Sequence, residues 1–287
     1  MIEMVRIITR ITAIIFIIAT ATTNIKAQDI IYEKADSIFI EDIIKRHSAN
    51  GYSTTGERII AIAKEFIDRE YAGGTLDLHN NEPLFISCSQ LDCTTFVETV
   101  LATAHCAPDG GFTQFCKNLE QIRYREGKRG DYTTRLHYIT WWIADHAKQH
   151  IVKEITTKHH TATQALDLNF ISTHPNSYKF LKENPAATAT IAELEKTYNS
   201  KETRYIPKEE ISKINKKDIK DGDIIAIVTS IKGLDVSHVG FALWNGQTLH
   251  MIHASSAAGK VINDTTSLDN YLAKRKKHLG IRVFRAL

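Results

Sequence analysis

Cys93 and His238 are the residues whose types and surroundings suit covalent chemistry. A thiol is a poor nucleophile until it becomes a thiolate. Cys93 follows Asp92, a good N-cap, at the start of an apolar helical pattern made by Phe96, Val97, Val100, Leu101 and Ala104. A helix N-terminus favours negative charge through its free N–H groups and its macrodipole, so this placement is expected to lower the thiol pKa. The same N–H groups can donate to a tetrahedral oxyanion. A buried, inert thiol is the usual alternative for a free cysteine, and the choice turns on whether a base reaches the sulfur. His238, in Ser237-His238-Val239-Gly240-Phe241, opens an apolar strand where imidazole has no packing advantage over Val or Ile, which favours a chemical role.

The elements that carry these groups change period along the chain. Ile40, Ile43 and Ile44 mark one helical stripe, and Ile59, Ile60, Ala63, Phe66 and Ile67 a second that begins near Gly56. Tyr71-Ala72-Gly73-Gly74 breaks the pattern before the Cys93 helix, which Pro108 and Gly110-Gly111 end. In the last third, residues 223–228, 238–244 and 247–254 read as strands, with Asn245-Gly246 as a type I′ hairpin turn. That turn would pair Trp244 with Gln247 and set His238 directly opposite His253, both imidazoles on one face. A second polar group beside the base is what a triad needs. His250 has the other parity and should point away. Helices followed by antiparallel strands indicate an α+β fold, with residues from about 112 to 215 read as a mostly helical inserted lobe.

The 287 residues carry a formal charge of +3. Arg6 and Arg10 precede an apolar run from Ile11 to Ala19, with small residues at Ala21 and Ala27, which reads as a secretory signal peptide over 1–27 cleaved at Ala27/Gln28 or Ala21/Thr22. The run is shorter than the ~20 residues that span a bilayer, so the product should be an exported chain, 28–287, with no stable membrane insertion, acting in the periplasm or outside the cell. Its removal takes away Arg6, Arg10, Lys26 and Glu3 and leaves +1, which gives nucleic-acid binding no electrostatic case. The basic run Lys274 to Lys277 reads as a solvated helix end. Cys106 and Cys116 could bridge, or the thiols of Cys88, Cys106 and Cys116 could stay buried and reduced. His146 and His150 have helical spacing but no Glu after the first, so they read as a solvated helix face and no metal is expected. His159 and His160 read as exposed, and Asp92 as a cap.

Tyr71-x-Gly73-Gly74, Leu91-Asp92-Cys93-Thr94-Thr95-Phe96-Val97, Ser237-His238-Val239-Gly240 and His253-Ala254-Ser255 together resemble the ordered signature of NlpC-type cell-wall hydrolases. The resemblance implies a papain-like fold in which the cysteine heads a helix packed on an antiparallel sheet. Gly73-Gly74-Thr75-Leu76, Arg135-Leu136-His137-Tyr138 and Gly233-Leu234-Asp235-Val236-Ser237-His238 resemble one bacterial branch, first labelled a domain of unknown function and later associated with N-acetylmuramoyl-L-alanine amidase activity. It implies Cys93 as nucleophile, His238 as base and then acid, His253 as the orienting group, and Tyr71 as a hydroxyl near the thiolate or oxyanion. Arg135, His137, Tyr138, Asp235, Thr94 and Ser237 are the candidates for contact with a muropeptide. No cofactor is implied. An endopeptidase cutting between D-Glu and the diamino acid, or a noncatalytic wall-binding module, would use the same framework; intact wall and released anhydromuropeptides are both open as substrate.

Overall fold

The computed structural model describes residues 30–48, 51–79, 81–156 and 161–287. The leader read over 1–27, with its cleavage positions, lies outside the described residues, as do His159 and His160. The helices are α1 (Lys34–Arg46), α2 (Thr55–Lys64), α3 (Cys93–Ala104), α4 (Gly111–Arg123), α5 (Ile139–Lys148), two short turns α6 (Phe170–Thr173) and α7 (Lys179–Lys182), then α8 (Pro185–Lys196) and α9 (Leu268–Ala273). The strands are β1 (Ile30–Ile31), β2 (Glu70–Tyr71), β3 (Leu84–Phe85), β4 (Gln90–Leu91), β5 (Val152–Glu154), β6 (Ala162–Ala165), β7 (Glu202–Pro207), β8 (Ile224–Thr229), β9 (Val236–Asn245), β10 (Thr248–Ser255), β11 (Lys260–Asn263) and β12 (His278–Ala286). The mixed α+β reading therefore holds. The main sheet runs β4-β2-β11-β10-β9-β8-β12-β7-β6, with β5 also on β12, and its centre, β11 to β12, is antiparallel.

α3 is buried on every face. From Thr95 to Ala104 every residue is buried, with α1, α2 and α4 on one side and β9 and β10 on the other. Phe96 sets that packing, meeting Phe66 edge-on at 6.1 Å and Phe241 of β9 at 5.7 Å between ring centroids. Such T-shaped contacts add to the area that the ring buries. At the far end, Arg58 donates to the carbonyls of His47, Ala104 and Cys106 at 2.7–3.0 Å, placing a cation at the C-terminal ends of α1 and α3. The buried Arg123 Nε donates to Glu98 at 2.8 Å and so ties α4 to α3.

β8 is buried along its whole length. Its Ile224 and Ala226 join the helical core, while Ile225 and Ile227 join a second core on the other face with Ala242, Met251, Leu268 and Leu272. That alternation follows from the two-residue period of a strand, and a strand buried on both faces reads as a continuous apolar run.

One expectation is extended and one corrected. The segment from 112 to 215 holds more helix than strand, in α4, α5 and α8 above all, but it also extends the main sheet, since β5 and β7 pair with β12 and β6 with β7. These strands are short and polar, and pairing rather than propensity holds them. His146 does not lie on a solvated face. It is fully buried, its ring edge-on to Trp142 at 4.0 Å, and burial pushes its pKa down to about 4. α5 packs against both α4 and β5, which encloses the side that looks polar. His150 is exposed as expected. The four cysteines are free, with Cys88, Cys106 and Cys116 buried.

Asp221-Gly222 leads into β8 by a turn that presses on α2. Gly222 has φ +82°, and a Cβ there would stand 2.3 Å from the Gly56 carbonyl oxygen. Left-handed backbone costs an L-residue about 1–2 kcal/mol, and this neighbour is backbone that cannot swing away. Gly222→Ala is expected to destabilise the chain by more than about 2 kcal/mol, read as a lower urea midpoint; an unchanged midpoint would show that α2 has room to move.

Candidate active site

Cys93 is the first residue of α3, and its cap has the expected form. The Asp92 carboxylate accepts from the Thr95 N–H at 2.8 Å, and the Thr95 hydroxyl oxygen accepts from the Asp92 N–H at 2.9 Å. These reciprocal bonds fix the first turn. α3 packs against β9, which brings the Val239 N–H, one residue beyond His238, and the Thr94 hydroxyl close enough to the sulfur to favour its ionised form. Cys93 also lies within electrostatic reach of the phenols of Tyr71 on β2 and Tyr271 on α9.

Burial works against the low thiol pKa expected of a helix start. Burial pushes it up to about 12, and the Asp92 carboxylate adds to that shift. The Val239, Thr94 and Cys93 donors act the other way but do not offset desolvation. Burial likewise pushes His238 down to about 3. Desolvation thus favours the neutral form of both groups.

The hairpin turn falls one residue later than expected. Asn245 pairs with Thr248 and Phe241 with Ile252, so Gly246 and Gln247 form the turn, and Gly246 alone takes a positive φ of +59°, the pattern of type II′ rather than type I′. His238 is consequently not opposite His253; Gly240 is. The shift preserves parity, so both imidazoles still share a face and meet on the diagonal, His238 Nε2 to His253 Nδ1 at 2.6 Å. Gly240 makes the diagonal passable, since a Cβ there would stand 2.8 Å from the His253 Cβ.

Asp264, just beyond β11, completes the chain with its Oδ2 3.3 Å from His253 Nε2. An ionised carboxylate only accepts, so His253 donates from Nε2 and, being neutral, accepts at Nδ1. His238 must then donate from Nε2, which leaves its Nδ1 as a bare lone pair. Burial lowers the His253 pKa, against the pull of Asp264. Sequence reasoning missed Asp264, since an acidic residue at a strand end signals only a turn. It also missed Tyr271, whose ring lies parallel to His238 at 6.4 Å and edge-on to His253 at 5.6 Å. His250 is held apart, its ring nitrogen 3.1 Å from the Asp264 carbonyl oxygen.

The other sequence candidates are engaged within the protein. Arg135 is buried, donates twice to Glu82 at 2.8 and 2.9 Å, and also reaches Asp77 and the Leu76 carbonyl. His137 Nε2 lies 2.8 Å from the Tyr132 carbonyl oxygen. The Tyr138 hydroxyl donates to Glu195 at 2.7 Å and accepts from the Ile171 N–H. Asp235 accepts from the N–H groups of Thr140 and Val236, both at 2.7 Å, and so anchors the first turn of α5. The Ser237 hydroxyl donates to the Ile227 carbonyl at 3.4 Å. Thr94 lines a small apolar pocket with Val97, Ile139 and Val239. Among the described residues no group of three or more His, Cys, Asp or Glu is placed to hold a metal ion.

Residues 61–281 match the AmiA-like, N-acetylmuramoyl-L-alanine amidase-like family. A crystal structure of an N-acetylmuramoyl-L-alanine amidase from Bacteroides uniformis is 36% identical, with a TM-score of 0.78 over 81% of this chain and 99% of that one. A structure from Bacteroides fragilis, named a "putative xylanase", is 43% identical, with a TM-score of 0.74 over 78% and 99%. A Legionella pneumophila protein assigned to the DUF1460 family, 23% identical with a TM-score of 0.64 over 88% and 96%, shares the fold. Among curated proteins none matches significantly.

A thiol held near 12 carries a thiolate fraction that grows tenfold with each pH unit below that value. Iodoacetamide modification of Cys93, followed by peptide mapping, is therefore expected to accelerate about tenfold per unit from pH 7 to 10. A rate that levels off below pH 8 would instead reveal a preformed thiolate.

Proposed function

The chain belongs to the AmiA-like, N-acetylmuramoyl-L-alanine amidase-like family, and from that premise we propose that it hydrolyses the amide between N-acetylmuramic acid and L-alanine in peptidoglycan fragments. In this reading the fold is papain-like, Cys93 is the nucleophile and His238 its base. The observation that carries it is the Asp264–His253–His238 chain, which leaves His238 Nδ1 with a lone pair free to act as a base. The export read from the leader suits a substrate outside the cytoplasm.

As the amide carbonyl reaches the sulfur, the thiol proton passes to His238 Nδ1 and a C–S bond forms. The Cys93 N–H and the Tyr71 hydroxyl are the donors for the oxyanion. The imidazolium returns its proton to the leaving amine, the C–N bond breaks, and a thioester remains. His238 then takes a proton from water, whose oxygen attacks the thioester, and the lactyl acid leaves as the thiol is restored. Because desolvation favours the neutral thiol and the neutral imidazole, approach of the carbonyl and proton transfer to His238 assist one another in this reading. The Asp264 carboxylate stabilises the positive charge that appears on the histidine pair.

A xylanase reading, suggested by the name of the Bacteroides fragilis relative, would require two facing carboxyl groups across a sugar bond. The carboxylates of this site are otherwise committed, Asp92 to the α3 cap and Asp264 to His253.

Mass spectrometry of muropeptides after digestion decides the bond. New free L-Ala N-termini are expected; a cut after D-Glu identifies an endopeptidase, and binding without any product leaves a wall-binding module. Cys93→Ala should abolish turnover while retaining the fold. Gly240→Val should lower kcat by about 100-fold, since displacing His253 by an ångström disturbs the base; full activity in that variant would show that the diagonal contact is dispensable.

A further inference from the structure

Arg275 leaves the basic run after α9 and turns inward. Lys274, Lys276 and Lys277 are exposed, whereas the Arg275 guanidinium lies 4.0 Å from the centroid of the Tyr271 ring. Its hydrogen bond, from Nη1 to the Tyr271 carbonyl, is 3.3 Å long, and among the described residues no carboxylate forms an ion pair with it. The acidic groups facing this corner are already committed, Asp264 to His253 and the Thr266 N–H, and Asp269 to the Ser267 hydroxyl. From β12, His278 lies parallel to the Tyr271 ring at 6.0 Å, and its Nδ1 finds no partner.

Positive charge thus stands beside the proposed base without a counter-ion. Arg275 disfavours protonation of His238, His253 and His278, and Lys208 adds to its effect on His278. The proposed reaction has to place a proton on His238, so this cation opposes catalysis until an anion joins it. In the proposed substrate the sugar side of the scissile amide carries no carboxylate. The peptide side does.

We infer that Arg275, stacked on Tyr271 beside the histidine pair, binds the free carboxylate of the stem residue that follows the scissile alanine and so lays the peptide across α9. The inference rests on the amidase reading, and it gives the site a direction, with the sugar on the side of Tyr71 and the peptide on the side of Tyr271. Arginine suits the role because its fork meets a carboxylate with two parallel N–H donors, which a lysine cannot do.

The test compares two muropeptides that differ only in carrying a carboxylate or a carboxamide on that residue. Arg275→Gln is expected to raise KM for the carboxylate form about 10- to 100-fold, as loss of a charge-assisted bond does, and to change KM for the carboxamide little. Arg275→Lys should fall between. Equal losses on both peptides, or none on either, overturn the inference. If the wild-type protein cleaves neither peptide, the amidase reading fails separately. Calorimetry of both peptides on Cys93→Ala, with and without Arg275→Gln, then decides alone: a preference for the carboxylate that depends on Arg275 supports the inference, and no such preference overturns it.

Discussion

The hydrogen-bonded chain from Asp264 through His253 to His238 is the constraint on which the site depends. Its direction is set at one end, because an ionised carboxylate accepts and cannot donate, and each later proton position follows from that. Three features serve the chain. Gly240 leaves the diagonal open, β11 ends where Asp264 can reach the inner imidazole, and Tyr271 covers both rings. His253 is fully buried, and with a partner on each nitrogen it escapes the penalty of an unsatisfied polar group.

Burial sets the chemistry as strongly as hydrogen bonding does. α3 is enclosed by helices on one side and by the sheet on the other, which fixes Cys93 on its half-buried first turn and leaves the sulfur poorly solvated. The helix start, the Thr94 hydroxyl and the Val239 N–H all favour a thiolate, yet desolvation outweighs them. The same enclosure pushes the His238 pKa down. In the proposed reaction charge develops where fixed donors and the Asp264 carboxylate act in a medium of low dielectric and count for more than they would in water.

Elsewhere the charged residues are used to fasten elements together. Arg58 closes two helix ends, Arg123 joins α3 to α4, and Arg135 gathers Glu82, Asp77 and the Leu76 carbonyl. Asp235 anchors the first turn of α5 from the loop that leads into β9. These contacts account for residues beside the Cys93 and His238 motifs without assigning them to substrate, and Arg275 stands apart from them in having no carboxylate partner among the described residues.

The sequence by itself determined the start of α3 and the place of Cys93 on it, because a cap and an apolar helical stripe are local properties. It also determined that His238 and His253 share a face, since that depends only on strand parity, and a shift of two residues in the pairing leaves parity unchanged. Tertiary structure alone decided which residue stands opposite His253, that Asp264 ends the chain, that His146 is enclosed, and that residues 152–207 add strands to the sheet. It alone decided how strongly burial opposes ionisation of the thiol as well. The physical reason is common to all of these: register, partners and solvation depend on residues distant in the chain, whereas periodicity and capping depend on neighbours a few positions away.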